Sequence, residues 1–335
     1  MTPGLKNSSI LELNNLEVHF DVSDPIVTRI LSRSPRKYVK AVNDIDFSVA
    51  RGATFSLVGE SGCGKSTLAR CVAGLISPTK GDISFNGSSI TGKKARDRNS
   101  ILRRMQMIFQ DPYSSLDPRW RVGDIIAEPV RSMKVYDSRQ EIIDRVDELL
   151  VQVGLNPRDK NKYPHEFSGG QRQRISIARS LSVAPEFLIC DEPTSALDVS
   201  VQAQILNLMS ELQEALDLTL LFISHDLAVI DHVSDRIGVM YLGRLCEIAS
   251  KRELFETPRH PYTRMLIETI PDVRGRKRDR KPIEGEVPNP LDPPPGCVFH
   301  QRCPLANERC KREVPVLITK DGSQIACHAA EEGRG

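Results

Sequence analysis

A chain of 335 residues is long for one domain and suits two, or one domain with an appendage. Its 39% apolar and 27% charged residues describe an ordinary globular protein with ample material for a core, and 46 Lys and Arg against 44 Asp and Glu leave a net charge of only +2, which gives no general attraction to nucleic acid or to an anionic membrane surface. The first ten residues lack the basic and apolar regions of a secretory signal, and no apolar segment approaches the roughly 20 residues needed to cross a bilayer, so the sequence points to the cytosol, with any membrane role supplied by a partner.

Leu11 to Phe20 and Ala41 to Val49 alternate apolar and polar residues, which predicts antiparallel strands with one wet face; Asp24 to Lys40 between them reads as an exposed loop. Ala53 to Val58 is a short buried strand. It runs into Gly59-Glu60-Ser61-Gly62-Cys63-Gly64-Lys65-Ser66-Thr67, and Leu68 to Ile76 then reads as a helix closed by Ser77-Pro78. Gly81 to Gly87 is a strand ending in Asn-Gly, a hairpin signal. A polar, basic stretch from Thr91 to Arg104 precedes a strand, Met105 to Phe109, that ends at Gln110 and is broken by Asp111-Pro112. From Val122 to Leu155 the pattern is helical, with Ile142, Val146, Leu149, Leu150 and Val153 on one stripe, as expected of a helical insertion into an α/β sheet. Ser168 is a natural N-cap for a helix from Gln171 to Leu181. Two apolar strands follow: Phe187 to Cys190 delivers Asp191-Glu192, and Thr219 to Ile223 delivers Ser224-His225-Asp226. Beyond about Ser250 come a short helix, Thr263 to Ile270, a basic run from Arg274 to Lys281 read as a solvated linker, and a Pro-rich segment from Pro288 to Pro295.

The stretch from Gly59 to Thr67 fits G-x-x-x-x-G-K-[ST] between a strand and a helix, the context that a phosphate-binding loop requires. Its glycines let successive N–H groups face one point, and the helix N-terminus adds partial positive charge there. Lys65 would reach the β- and γ-phosphates, and the Ser66 hydroxyl would join a Mg²⁺ shell. Cys63 reads as a small filler, since no base is implied beside it. In open parallel sheets ligands bind at the carboxyl ends of strands, where the loop, Gln110, Asp191-Glu192 and His225 all fall. Asp191 is placed to hold Mg²⁺ through its water shell, Glu192 to polarise the water that attacks the γ-phosphate, and His225 to orient that water. Gln110 would link the metal to the helical insertion.

Taken in order, the phosphate loop, Gln110, Ser168-Gly169-Gly170-Gln171, Asp191-Glu192, Ser195-Ala196-Leu197-Asp198 and His225 resemble the ATP-binding subunit of ABC transporters over about residues 11 to 250. The resemblance implies a P-loop α/β core with an antiparallel β subdomain and a helical subdomain at about 111–170. It also implies that Ser168 to Gln171 complete the nucleotide site of a second ATPase subunit. A helix N-terminus with two glycines is an anion site that needs no side chain. The adenine-stacking aromatic is Tyr38 or Phe20, with Tyr38 preferred. Phe109 to Leu116, His165 to Arg174, His260-Pro261-Tyr262 and the tail cysteines look like the oligopeptide/dipeptide importer branch. Phe167 stands where the wider family usually has Leu, in keeping with this branch. Membership would imply two integral membrane permease subunits, an extracytoplasmic solute-binding protein acting indirectly, no nucleic acid, and a peripheral position on the cytoplasmic face of the membrane. A soluble ABC ATPase acting on DNA or in translation is the competing class; the single ATPase half without a coiled-coil insertion speaks against it.

Residues 251–335 form a small C-terminal extension containing Cys297, Cys303, Cys310 and Cys327. Four thiols within 31 residues are well placed to converge on one inorganic centre. Zinc sites favour C-x2–4-C knuckles, which are absent, whereas iron–sulfur clusters accept wider spacing. The importer branch, in which tail cysteines hold a 4Fe–4S cluster, tips the expectation that way. Zn²⁺, with His300 or His328 as substitute ligands, and free thiols stay open as alternatives.

Overall fold

Unbroken apolar runs and alternating ones build different parts of this chain. A computed structural model describes residues 9–25, 35–92, 95–269 and 285–334. It divides into two units: the described residues of Met1–Leu11, Val49–Thr54 and Ser84–Ser224, and those of Glu12–Ser48, Phe55–Ile83 and His225–Gly335.

In the first unit the strands Met105–Ile108, Phe187–Asp191 and Thr219–Ile223 lie side by side and parallel, with Ile108 opposite Cys190 and Asp191 opposite Ile223. Every residue of the latter two strands is buried, as expected of parallel strands covered on both faces. Their register brings the residues that follow Ile108 and Cys190 to one edge. The helices Val122–Ser132, Arg139–Gln152 and Gly169–Leu181 pack against one another, with Val146, Leu149, Leu150 and Val153 buried as the apolar stripe requires.

In the second unit Phe55 to Val58, of the strand Thr54–Val58, pair in parallel with Arg236–Tyr241, which continues antiparallel through Arg244–Ser250 and Ser323–Ile325 to Ile318–Lys320. The C-terminal extension therefore adds two strands to the sheet that carries the phosphate loop. The long strands Ser9–Asp21 and Tyr38–Ala50 belong to an antiparallel sheet, and Phe47 from it stacks on Phe55 at 4.5 Å. The result is mixed α/β, with the antiparallel part and the helical segments that the sequence led us to expect. No helix among the described residues is long and apolar enough to cross a membrane.

Several expected boundaries move. Tyr38 to Lys40 begin a strand instead of ending a loop. The helix after the phosphate loop is Lys65–Val72, because the loop turns directly into it at Gly64 and Gly74, at φ 71°, closes it early with Leu75 N–H on the Arg70 carbonyl at 2.9 Å. Ala95–Arg104 is helical where the sequence shows only a polar, basic stretch; its content of Ala, Arg and Leu suits a helix. The Val122 to Leu155 pattern breaks in two: Lys134 sits at φ 51°, and Ser138 and Glu141 form a capping box that starts the second helix. Asn86-Gly87 makes the expected turn, both residues at positive φ, between Lys80–Phe85 and Ser88–Ser89. The basic run from Arg274 to Lys281 lies outside the described residues.

Candidate nucleotide site

The phosphate loop curls where only glycine fits. A Cβ on Gly64, at φ 106°, would lie 2.0 Å from the Ala41 carbonyl oxygen, and one on Gly59 would lie 2.1 Å from that of Met240. Lys65 is buried, and its ammonium donates to the carbonyls of Gly59 at 2.7 Å and Glu60 at 3.0 Å. The Cys63 N–H donates to the Glu60 carbonyl at 3.3 Å, tightening the loop in front of the helix. Burial pushes the Cys63 thiol up from its ordinary range, the behaviour of a filler and not of a nucleophile.

Three groups in this loop have partners that sequence reading did not supply. The Glu60 N–H donates to the Tyr262 hydroxyl at 3.0 Å, and the Glu60 carboxylate receives both Nη groups of Arg302, at 2.8 and 2.9 Å. The third is the Cys63 carbonyl, which accepts the Gly243 N–H at 2.9 Å. His260-Pro261-Tyr262 stands out in the sequence as a motif, but nothing local marks Arg302.

At the strand edge of the first unit the structure brings Gln110 and Glu192 together: Gln110 Nε2 donates to Glu192 Oε2 at 2.9 Å. Asp191 before it is buried, while Glu192 is partly exposed and sits at φ 47°, an uncommon conformation for a non-glycine residue. Its own N–H donates to the Ile223 carbonyl at 3.0 Å and its carbonyl accepts the Ser195 hydroxyl at 3.1 Å, so the backbone is fixed on both sides. Ser168 caps the helix Gly169–Leu181. Its hydroxyl accepts the Gln171 N–H at 3.3 Å, and the Gln171 side chain returns a bond to the Ser168 N–H at 3.0 Å. The two glycines after the cap leave the helix N-terminus uncovered by any side chain of their own, and a Cβ on Gly170 would strike Val201 at 2.4 Å. His225 is exposed, immediately before Asp226, which caps the helix Leu227–Val233. Tyr38 and Phe20 are 41% and 39% exposed, so burial does not separate them.

The tail cysteines depart from expectation. Burial raises the Cys297 and Cys303 thiols to about 11, and Cys327 and Cys310 push both further in the same direction, so the group shares one neighbourhood. Yet no set of three or more His, Cys, Asp or Glu among the described residues is placed to hold a metal ion. The expected four-thiolate centre on Cys297, Cys303, Cys310 and Cys327 therefore finds no support in how these side chains are placed. His300, considered as a substitute ligand, turns Nδ1 to the Cys297 carbonyl at 2.9 Å, and His328 turns Nε2 to that of Glu313 at 3.0 Å.

Comparison with known proteins identifies the family. Residues 42–195 match the family described as ABC transporter, and residues 246–310 match the oligopeptide/dipeptide transporter C-terminal region. The chain is 48% identical over 325 residues to the oligopeptide transport ATP-binding protein AppF of Bacillus subtilis, covering 96% of this chain and 97% of that protein. It is 46% identical to OppF of Salmonella typhimurium over 322 residues, 95% of each, and 45% identical over 328 residues to the di/tripeptide transport ATP-binding protein DppF of Pseudomonas aeruginosa, 98% of this chain and 99% of that one. Among solved structures it resembles the dimeric post-hydrolysis state of the ATP-binding cassette MJ0796 bound to ADP and Pi, with a TM-score of 0.63 and 25% identity over 72% of this chain and 99% of that one. It also resembles cbiO1 of Clostridium perfringens, with a TM-score of 0.62 and 28% identity over 75% and 92%. With both family regions matched and near-full-length relatives well above 40% identity, the chain belongs to the ABC transporter ATP-binding proteins, in their oligopeptide/dipeptide branch.

Proposed function

We propose that this chain binds and hydrolyses ATP to energise a membrane importer of di- and oligopeptides or related small solutes. The observation that carries the reading is similarity along nearly the whole chain, tail included, to proteins named for peptide transport. The same similarity disfavours a soluble ATPase acting on DNA or in translation. Residues 11–250 serve as the ATPase domain, with 111–170 as its helical subdomain, and 251–335 as the C-terminal extension. Gly59 to Thr67 cradle the phosphates, Ser66, Gln110 and Asp191 attend Mg²⁺, Glu192 polarises the attacking water, His225 orients it, and Tyr38 stacks on adenine. The hydrogen bond from Gln110 to Glu192 supports this assignment, since it ties the acid to the segment that leads into the helical insertion. Ser168 to Gln171 complete the site of a second ATPase subunit, in keeping with the dimeric state of a similar cassette. Two permease subunits hold the pair at the cytoplasmic face of the membrane, and a solute-binding protein outside delivers the cargo. Reconstitution with the permeases tests this: ATP turnover should rise, and peptide uptake should require ATP and the binding protein. Co-purification with nucleic acid and no response to permeases would reject it.

For the tail we infer a 4Fe–4S cluster held by Cys297, Cys303, Cys310 and Cys327 and bracing the extension. The shared neighbourhood of the thiols supports this, as does the match of the peptide-transporter C-terminal region to the first three. Anaerobically purified protein should be brown and contain about four irons per chain. Colourless protein with one zinc would reject the cluster.

A further inference from the structure

Glu60, the first variable position of the phosphate loop, is held at three points. Its carbonyl accepts from Lys65, its N–H donates to the Tyr262 hydroxyl, and its carboxylate takes both Nη groups of Arg302. The Arg302 side chain is only 3% exposed and that of Glu60 only 21%, so the pair is largely withdrawn from solvent screening. Arg302 also donates to the Tyr241 hydroxyl at 3.2 Å, and its guanidinium lies 5.6 Å from the Tyr241 ring centre and 5.9 Å from that of Phe299. Tyr241, Tyr262 and Phe299 are fully buried and contact one another with ring centres 4.7 to 5.3 Å apart. This aromatic wedge fixes where the guanidinium and the Tyr262 hydroxyl can sit. A planar Arg held in two directions fixes a carboxylate more tightly than a surface ion pair does.

A loop that must receive a polyphosphate gains nothing from an uncompensated carboxylate at its first turn. Its N–H groups must also converge on one point before the ligand arrives, or binding has to supply the ordering. Arg302 answers the first need and, with Tyr262, the second.

We propose that Arg302 and Tyr262, both in the C-terminal extension, are positioning residues for the phosphate-binding loop: they clamp Glu60, neutralise its charge and preset the turn from Gly59 to Ser61 for nucleotide. Arg302 directly precedes Cys303, so the segment that carries the tail cysteines is the one that reaches the loop. The inference rests on Gly59 to Thr67 being the loop that takes the nucleotide phosphates.

The test is ATP affinity and the split between KM and kcat in full-length variants. Arg302→Met strands the Glu60 carboxylate and should raise the Kd and KM for ATP about tenfold, with kcat changed far less. Because charge is the cause, Glu60→Gln combined with Arg302→Met should bind ATP better than Arg302→Met alone. Tyr262→Phe, which removes one hydroxyl from an otherwise intact wedge, should weaken ATP binding about fivefold. Arg302→Lys, which keeps the charge but loses the two-pronged grip, should fall between wild type and Arg302→Met. If folded Arg302→Met binds ATP within twofold of wild type, or if the double variant is worse than the single one, the proposal is overturned. Should Arg302→Met fail to fold, Tyr262→Phe and Arg302→Lys decide: wild-type affinity in both overturns it, and the graded losses support it. Lys65→Ala separates the two levels. Retained ATP binding in that variant rejects the loop assignment itself, whereas lost binding there beside wild-type binding in Arg302→Met rejects only the clamp.

Discussion

His260 offers a quantitative test of how the extension is held. Its ring is buried, 5.8 Å from the Phe299 ring, and Nδ1 accepts the Tyr262 N–H at 3.0 Å, so that His260 caps the helix Pro261–Glu268 as a neutral acceptor. Its own backbone N–H donates to the buried Glu247 carboxylate at 2.9 Å. Burial first, and the nearby Arg264 charge second, lower its pKa from the ordinary 6.5 to about 3. A folded-state value below the unfolded one means that, between those two pH values, the unfolded chain takes up a proton that the folded chain refuses, and stability is lost as pH falls. Between pH 7 and pH 5 this amounts to about 2 kcal/mol from one residue. Asn is the informative replacement: it is a strong N-cap whose side-chain oxygen can accept the same N–H, and it does not titrate. His260→Asn should lose some packing against Phe299 at every pH, yet its unfolding free energy should fall about 2 kcal/mol less than that of wild type between pH 7 and pH 5. Urea unfolding followed by far-UV circular dichroism at both pH values measures the difference. Parallel pH dependences in the two proteins would refute the argument.

Other expectations concern the site. Glu192→Gln keeps the shape at φ 47° but removes the base, so ATP binding should persist while turnover falls by roughly 10²–10⁴ and a nucleotide-bound dimer accumulates in size-exclusion runs; near-normal hydrolysis would reject the role given to Glu192. If Ser168 to Gln171 act on a partner's nucleotide, specific ATPase activity must depend on protein concentration, and a rate per chain that stays constant on dilution would contradict the shared site. Gly64→Ala forces a Cβ to within 2.0 Å of a backbone oxygen at φ 106°, a strain of about 1–3 kcal/mol. Its melting temperature should drop by several degrees and its ATP affinity should fall; an unchanged melting profile would show that the loop is looser than its contacts imply.

What was legible in the sequence was whatever local chemistry dictates. A Gly-rich turn between an apolar strand and a helix, a Ser cap three residues before Gln, and an Asn-Gly turn each need only a few neighbouring residues, and each appears where the sequence puts it. Local signals also mark two boundaries that the reading leaves out: Ser138 and Glu141 start a new helix inside the helical pattern from Val122 to Leu155, and Gly74 ends the helix before Ser77-Pro78. Other features have no local signal. Arg302 meets Glu60 across 242 positions of chain, one of many arginines in a chain with balanced charge, and only the folded extension selects it. The tail cysteines are a different case, since spacing along the chain says that thiols can meet but not how they are oriented. Cys297 and Cys303 do lie near other tail thiols, but among the described residues no three such groups are placed to hold a metal ion, and that placement is set by the fold and not by spacing. The segment that carries these cysteines contacts the loop from Gly59 to Thr67 through the arginine beside Cys303. The clamp and the cysteines can be separated experimentally, because Cys303→Ser leaves Arg302 and its carboxylate partner intact.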